Sequence, residues 1–207
     1  MPTYKLTYFN IRGRVEIIRL IFKQAGVEFE DVRVSQGEEW LKLKPSMPYG
    51  TIPVLEVDGK QLPGRGSIQR YLAEKFGLAG SNDFENAQVH SIVDAENDFA
   101  QKFLGVVFEK DESRKFKLKK KLEDEVMPKY LGIFEQILTK NASPDGWFFG
   151  SKVTYADLGF FNMMCWSVKE GYSSLLDKYP AIKKNIAAVE ALPNIAKWLK
   201  ERPVTAM

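Results

Sequence analysis

Every strand-like run in this sequence lies before about residue 64, and from about residue 84 onward only helical patterns follow. Tyr4, Leu6 and Tyr8 alternate with Lys5 and Thr7, which is the two-residue period of a strand. The turn NIRGR comes next. Val15, Ile18, Leu20, Ile21, Phe22 and Ala25 then recur at helical spacing, and Gly26 suits the position just past a helix end. VEFEDVRV is a second strand. GEEWLKLK reads as a short helix or irregular turn and leads into the loop PSMPYG. TIPVLEVDGKQLP holds two strands joined at Asp58-Gly59, a dipeptide that favours the tight turn of a hairpin. A helix from about Ser67 to Phe76 is closed by Gly77.

The order β-α-β-loop-β-β-α in so short a span predicts a small α/β domain with a mixed sheet. The span is too short for a doubly wound dinucleotide fold, and no G-x-G-x-x-G follows the first strand. GLAGSNDFEN marks a linker. Beyond it, residues about 84–109, 115–140, 155–169, 180–190 and 193–201 read as helices. The expected division is an α/β domain over 1–80 and an all-helical domain over 83–207. In TYAD, Thr154 and Asp157 have the spacing of a capping box, ahead of the apolar run LGFFNMMCW. That pair is read as structural.

Composition narrows the function classes. Apolar residues make up 44 % and charged residues 28 %, as in an ordinary soluble globule. Thirty Lys plus Arg against 27 Asp plus Glu leave a net charge of +3, which gives no argument for a nucleic-acid partner. The single cysteine, Cys165, excludes an intrachain disulfide framework and a cysteine-cluster zinc site. The start MPTYKLTYF reads as neither signal peptide nor membrane anchor, and no apolar run reaches the roughly 18 residues of a spanning helix. A cytoplasmic protein with no stable membrane insertion and no metal is expected.

Several residues carry potential chemistry. Tyr8 ends the first strand beside a turn, where a phenol is a natural donor to an anion; on the residues alone a core or boundary aromatic is the plainer reading. Arg12 and Arg14 lie in that turn. Trp40 and Lys44 are four apart and would share a helix face, presenting an indole and an ammonium to a carboxylate, or simply capping the core. Pro53 opens a strand, and a cis bond there would leave the Ile52 backbone free to pair with an extended ligand; a trans proline is the plainer choice. His90 has no partner at ligand spacing, and Asp94 and Asp98 read as solvated or interface carboxylates. The run from Arg114 to Lys121 is basic but flanked by acids, and reads as a solvated helix face. Gly64, Arg65, Gly66 and Ser67 stand at a strand-to-helix turn of the kind that holds anions.

Taken in order, YKLTYFNIRGRVEIIR, MPYGTIPVLEVDGKQL, IQRYLAEKFGLAG and SKVTYADLGFF resemble the cytosolic glutathione transferases, and most closely the sigma class, which includes glutathione-dependent prostaglandin D synthases. The resemblance runs from Pro2 to about Pro203. It implies the glutathione transferase fold: a thioredoxin-like N-terminal domain, an all-α C-terminal domain and a homodimer, with glutathione as co-substrate. By the same resemblance, Tyr8 matches the tyrosine that stabilises the glutathione thiolate, and Arg14 the arginine that supports it. Trp40 and Lys44 match the pair facing the glycyl end. Ile52 matches the residue whose backbone pairs with the cysteinyl part, Pro53 the cis proline, and Asp98 an acid reaching the partner's glutathione. The pocket for a hydrophobic electrophile would draw on Phe9, Ile11, Gly13 and the helix around Phe99 to Phe108, with the 160s helix opposite.

One departure stands out. Where the family usually carries a Gln-Ser pair for the γ-glutamyl carboxylate, this chain has Gly64-Arg65, and Ser67 lies two residues late. Gly64 offers no side-chain amide, and the Arg65 side chain pairs with a carboxylate but accepts no hydrogen bond. Two functions remain open at this level. Tyr8 favours a transferase, with prostaglandin H to D isomerisation as a family activity. Gly64-Arg65 favours a weak or inactive structural or ligand-carrying homologue, like a lens crystallin. A thioredoxin-type redox protein is excluded by the lack of C-x-x-C.

Overall fold

The hairpin is set by its turn. Asp58 and Gly59 both take positive φ, 48° and 79°, in the computed structural model, which describes residues 2–205. Such a turn matches the natural twist of two antiparallel strands. It joins β3 (Val54–Val57) to β4 (Lys60–Pro63). The Asp58 carboxylate also accepts from the Thr3 backbone N–H at 2.8 Å and the Thr3 hydroxyl at 3.2 Å, pinning the chain start to the turn. β1 (Tyr4–Phe9) pairs antiparallel with β3 and parallel with β2 (Glu30–Val34), giving the sheet order β2-β1-β3-β4.

Helix α1 (Glu16–Ala25) crosses between the parallel strands and ends at Gly26, whose φ of 66° lets its N–H return to the Phe22 and Lys23 carbonyls. α1 packs on α3 (Arg65–Lys75), and the short α2 (Glu38–Leu43) follows β2. Leu6, Leu20, Ile21, Phe22, Leu55, Ile68 and Leu72 are fully buried and form the core of this unit. The helix α3 begins at Arg65, two residues before the expected Ser67. Gly64, with φ 90°, turns the chain into the helix without a side-chain cap.

A second unit runs from Gly80 to Ala191. Asn82 caps α4 (Asp83–Val107) by accepting from the Glu85 N–H. The helix expected over 115–140 is three pieces. α5 (Glu112–Lys121) starts earlier, at the Asp111 cap; a π turn spans Leu122–Val126; and α6 (Met127–Asn141) resumes with Pro128 in its first turn. Pro128 has no N–H to give the preceding turn, and a wider turn absorbs that break. α7 (Tyr155–Lys169) and α8 (Pro180–Ala191) complete the unit. Phe134, Phe148 and Phe160 meet edge-on or tilted in its core, with centroids 4.9–5.8 Å apart.

Thr154 and Asp157 form the expected capping box, and the structure adds to it. Asp157 is fully buried. Its Oδ2 accepts from the Thr154 N–H and hydroxyl, and its Oδ1 accepts from the Phe148 N–H and the Asn185 amide, at 2.7–2.8 Å. Burial pushes this carboxyl above the usual aspartate range, against the pull of those donors. At the other end of the unit, Glu135 on α6 accepts from the Ala181 and Ile182 N–H groups, both at 2.9 Å, and so caps α8.

Residues 192–205 group by their contacts with the N-terminal unit. They carry α9 (Pro193–Glu201), which packs on α1. Its helical pattern does not show which sheet or helix it will bury against; Trp198 and Ile195 decide that by docking on α1's unit.

Candidate functional site

Tyr8 ends β1 with its ring in van der Waals surroundings. It is 7 % exposed and its ring centroid lies 5.6 Å from that of Phe9. The next turn approaches it closely because of one glycine. Gly13 is buried with φ 49°, and a β-carbon there would lie 3.3 Å from Tyr8 Cε1 and 3.2 Å from Ile11 Cδ1. Only glycine combines that backbone with that spacing. Arg14 follows on the one-turn 3₁₀ helix Gly13–Val15 and is exposed to solvent. The phenol and the arginine are thus carried by the two ends of a single tight turn.

Phe9 extends the cluster. Its ring stands edge-on to Trp40, centroids 5.6 Å apart, so α2 is brought to the end of β1. The Lys44 N–H bonds to the Trp40 carbonyl, which confirms their one-turn spacing, and the Lys44 chain passes about 3.6 Å from where a Gly50 β-carbon would stand. Phe9 and Ile11 are each half-buried and present apolar surface beside Tyr8.

The second strand-to-helix turn is joined to the loop before β3. The Ile52–Pro53 bond is cis, and the Pro53 carbonyl accepts from the Gly64 N–H at 3.2 Å. Ile52, Pro53, Gly64 and Arg65 therefore form one corner. Asp98 belongs to α4 in the other unit and is exposed there, as is Asp94. Phe99 and Phe103, from the helix expected to line the electrophile pocket, point into that unit's own core: Phe99 stacks on Tyr130 at 5.3 Å and Phe103 meets Tyr172 edge-on at 5.9 Å. Desolvated by burial and beside Glu123, the Tyr172 phenol has its pKa pushed up to about 12. His90 lies edge-on to Tyr155 at 5.8 Å, and Cys165 is half-buried.

Polar residues that the pattern of α1 conceals hold the turn after β1. Arg19 is fully buried, and its Nη1 donates to the Ile11 carbonyl at 2.9 Å and the Arg12 carbonyl at 3.4 Å. Its Nε bridges both oxygens of Asp31 at 3.1 Å, and Asp31 also pairs with Arg33 at 2.8 Å. The signal was present in VEIIRLIF: Glu16 and Arg19 sit three apart inside an otherwise apolar helix.

Two family models match the chain. They are the N-terminal domain of glutathione S-transferase over residues 4–74 and its C-terminal domain over 97–202. The chain belongs to the glutathione S-transferase family. Among its relatives, glutathione S-transferase 1 of Ascaris suum is 43 % identical over 208 residues, covering 99 % of each chain. The hematopoietic prostaglandin D synthase of Gallus gallus is 41 % identical over 208 residues, covering all of both. A crystal structure of a monomeric glutathione S-transferase from the hookworm Necator americanus superposes with TM-score 0.86 at 38 % identity, covering 99 % of this chain and 100 % of that one. As a glutathione S-transferase, the chain is a transferase enzyme of a family that uses glutathione as co-substrate, and its fold is that of the family. No helix among the described residues is long and apolar enough to cross a membrane.

Proposed function

We propose that the enzyme activates glutathione at the end of β1 and transfers its sulfur to small hydrophobic electrophiles. The observation that carries this is the buried Tyr8 ring with Gly13 standing close against it, one residue before the exposed Arg14. A free thiol has a pKa of about 8.5 and is mostly protonated at neutral pH. The Tyr8 hydroxyl donates to the sulfur, the Arg14 guanidinium adds positive charge, and both favour the thiolate. The thiolate attacks the electrophilic carbon and the leaving group departs, with Phe9, Ile11 and Gly13 forming the near wall for that second substrate. Trp40 and Lys44 take the glycyl carboxylate, and the Ile52 backbone pairs with the cysteinyl part beside Pro53.

In this reading Arg65 replaces the usual hydroxyl partner of the γ-glutamyl carboxylate. It is the first residue of α3, where no side chain caps the helix start and a negative charge is favoured. Gly64 contributes its tight backbone turn. A homodimer in the cytoplasm completes the proposal, with Asp98 reaching the glutathione of the partner subunit. The match to the Gallus prostaglandin D synthase supports a second activity on the same thiolate: opening a prostaglandin endoperoxide and leaving again, with no net change in oxidation state.

Turnover of an aryl halide with glutathione, compared between the enzyme and Tyr8→Phe, tests the proposal. A large loss of kcat with a small change in glutathione affinity supports it. Equal rates overturn it. The competing reading, a structural or carrier homologue, is favoured by Gly64-Arg65. It predicts that restoring the pair (Gly64→Gln with Arg65→Ser) creates glutathione binding that the parent lacks.

A further inference from the structure

The C-terminal helix is wired to the catalytic turn through one buried carboxylate. Glu16 is fully buried at the start of α1, and its two oxygens face opposite ways. Oε2 accepts from Arg19 Nη1 at 3.2 Å. Oε1 accepts from the Trp198 indole N–H at 2.9 Å and from Arg202 Nη1 at 3.1 Å. The Arg19 nitrogen bound to Glu16 is the same one that donates to the Ile11 and Arg12 carbonyls. An unbroken path of hydrogen bonds therefore runs from α9, near the end of the chain, to the turn between Tyr8 and Gly13.

We infer that Glu16 is a joint. Through it Trp198 and Arg202 act as positioning residues for thiol activation, by fixing where Arg19 holds the turn. The inference rests on the assignment of Tyr8 and Arg14 to the glutathione thiol made above. Three features support it. Arg19, Glu16 and the turn's Gly13 are all buried, so water cannot replace a lost bond easily. Arg19 Nη2 is buried with no hydrogen-bond partner among the described residues, so the guanidinium is oriented by two anchors alone, Asp31 at Nε and Glu16 at Nη1, as it holds the two carbonyls. The Gly13 turn stands so close to Tyr8 that a β-carbon there would lie 3.3 Å from the ring, and a shift of about 1 Å in a catalytic group is enough to cost up to 10²-fold in rate.

Glu16→Gln breaks the joint without emptying its space. A carboxylate accepts on both sides, but glutamine accepts on one and donates on the other. Either Arg19 or the Trp198–Arg202 side then meets a donor. Trp198→Phe removes the indole N–H together with one ring's volume, and keeps an aromatic ring near Lys23, whose ammonium lies 5.2 Å from the Trp198 ring.

The experiment measures the pKa of enzyme-bound glutathione by thiolate absorbance, with kcat and KM for an aryl halide, in the parent, Trp198→Phe, Glu16→Gln, their double variant and Tyr8→Phe. Melting temperature is recorded for each. The expected result is a bound-thiol pKa raised in both single variants, with about a fivefold fall in kcat/KM for Trp198→Phe and more for Glu16→Gln. The double variant should be no worse than Glu16→Gln, because the two changes interrupt one path. Lower melting temperatures with an unchanged bound-thiol pKa show that the network only stabilises the fold, and overturn the inference. Additive effects of the two variants overturn it as well. If Tyr8→Phe leaves the bound-thiol pKa unchanged, the assignment of Tyr8 falls and this inference with it. If Tyr8→Phe raises the pKa while the joint variants do not, the inference alone falls. Should Glu16→Gln fail to fold, Trp198→Phe decides by the same readout.

Discussion

The two units hold their irregular backbone in different ways. In the N-terminal unit, a chain of charges from the half-buried Arg33 and Asp31 to the fully buried Arg19 and Glu16 secures the turn after β1. In the helical unit one carboxylate, Asp157, fixes the 148–154 loop, beside an aromatic core of Phe134, Phe148 and Phe160. The charged device suits a turn that, on the proposed function, presents Gly13 and Arg14 to a ligand while staying rigid. The single-carboxylate device suits a loop that only has to start a helix. Buried ionic groups are a costly way to gain stability, so their place beside Tyr8 marks the region where geometry matters most.

The sharpest break of this comparison is Tyr8→Phe. Removing a donor aimed at a developing negative charge costs about 10²-fold or more in rate. The melting temperature should barely change, because the ring stays. Asp157→Ala should do the reverse. It strands four donors in the interior, at a cost of about 2–4 kcal/mol read by denaturant unfolding, while kcat per folded molecule holds. Should it reduce the catalytic rate as much as the stability, the division of labour is wrong.

Gly13→Ala comes next and sits on the boundary between the two roles. It forces a side chain into positive φ and against Tyr8 and Ile11. About 1–2 kcal/mol of stability and several-fold in kcat/KM should go together. The smallest effect is at Asp58. The Thr3 N–H holds its exposed carboxyl below the ordinary aspartate value of 3.8. A lowered folded-state pKa gives stability that is present above 3.8 and lost as pH falls through the lower value. Asp58→Asn should therefore lower stability slightly at neutral pH, where that contribution is fully present, and flatten the acid limb so that the two profiles converge below the lowered value.

Much of the fold was legible in local pattern. The alternation of Tyr4, Leu6 and Tyr8, the Asp58-Gly59 turn and the Thr154-Asp157 spacing are each short-range signals, and each appears as a matching element. The π turn was not legible as such, although Pro128 was there to be read against the helix expected over 115–140. The docking of α9 was hidden for a different reason. Trp198 and Arg202 find Glu16 from the far end of the chain, and no local periodicity encodes such a pairing. The same holds at the site. Tyr8, Trp40 and Pro53 were visible as residue types at strand ends and turns, whereas the service of Arg19 to the Ile11 carbonyl depends on tertiary contact. Arg65 remains the position where the family pattern and this sequence part.

Calorimetric titration of reduced glutathione into the purified enzyme at neutral pH tests the central claim most directly. The account predicts saturable binding in the micromolar to low-millimolar range, with Arg65→Ala weakening it. No detectable heat of binding at millimolar glutathione would contradict it, and would leave Gly64-Arg65 as the mark of a homologue that has lost its co-substrate.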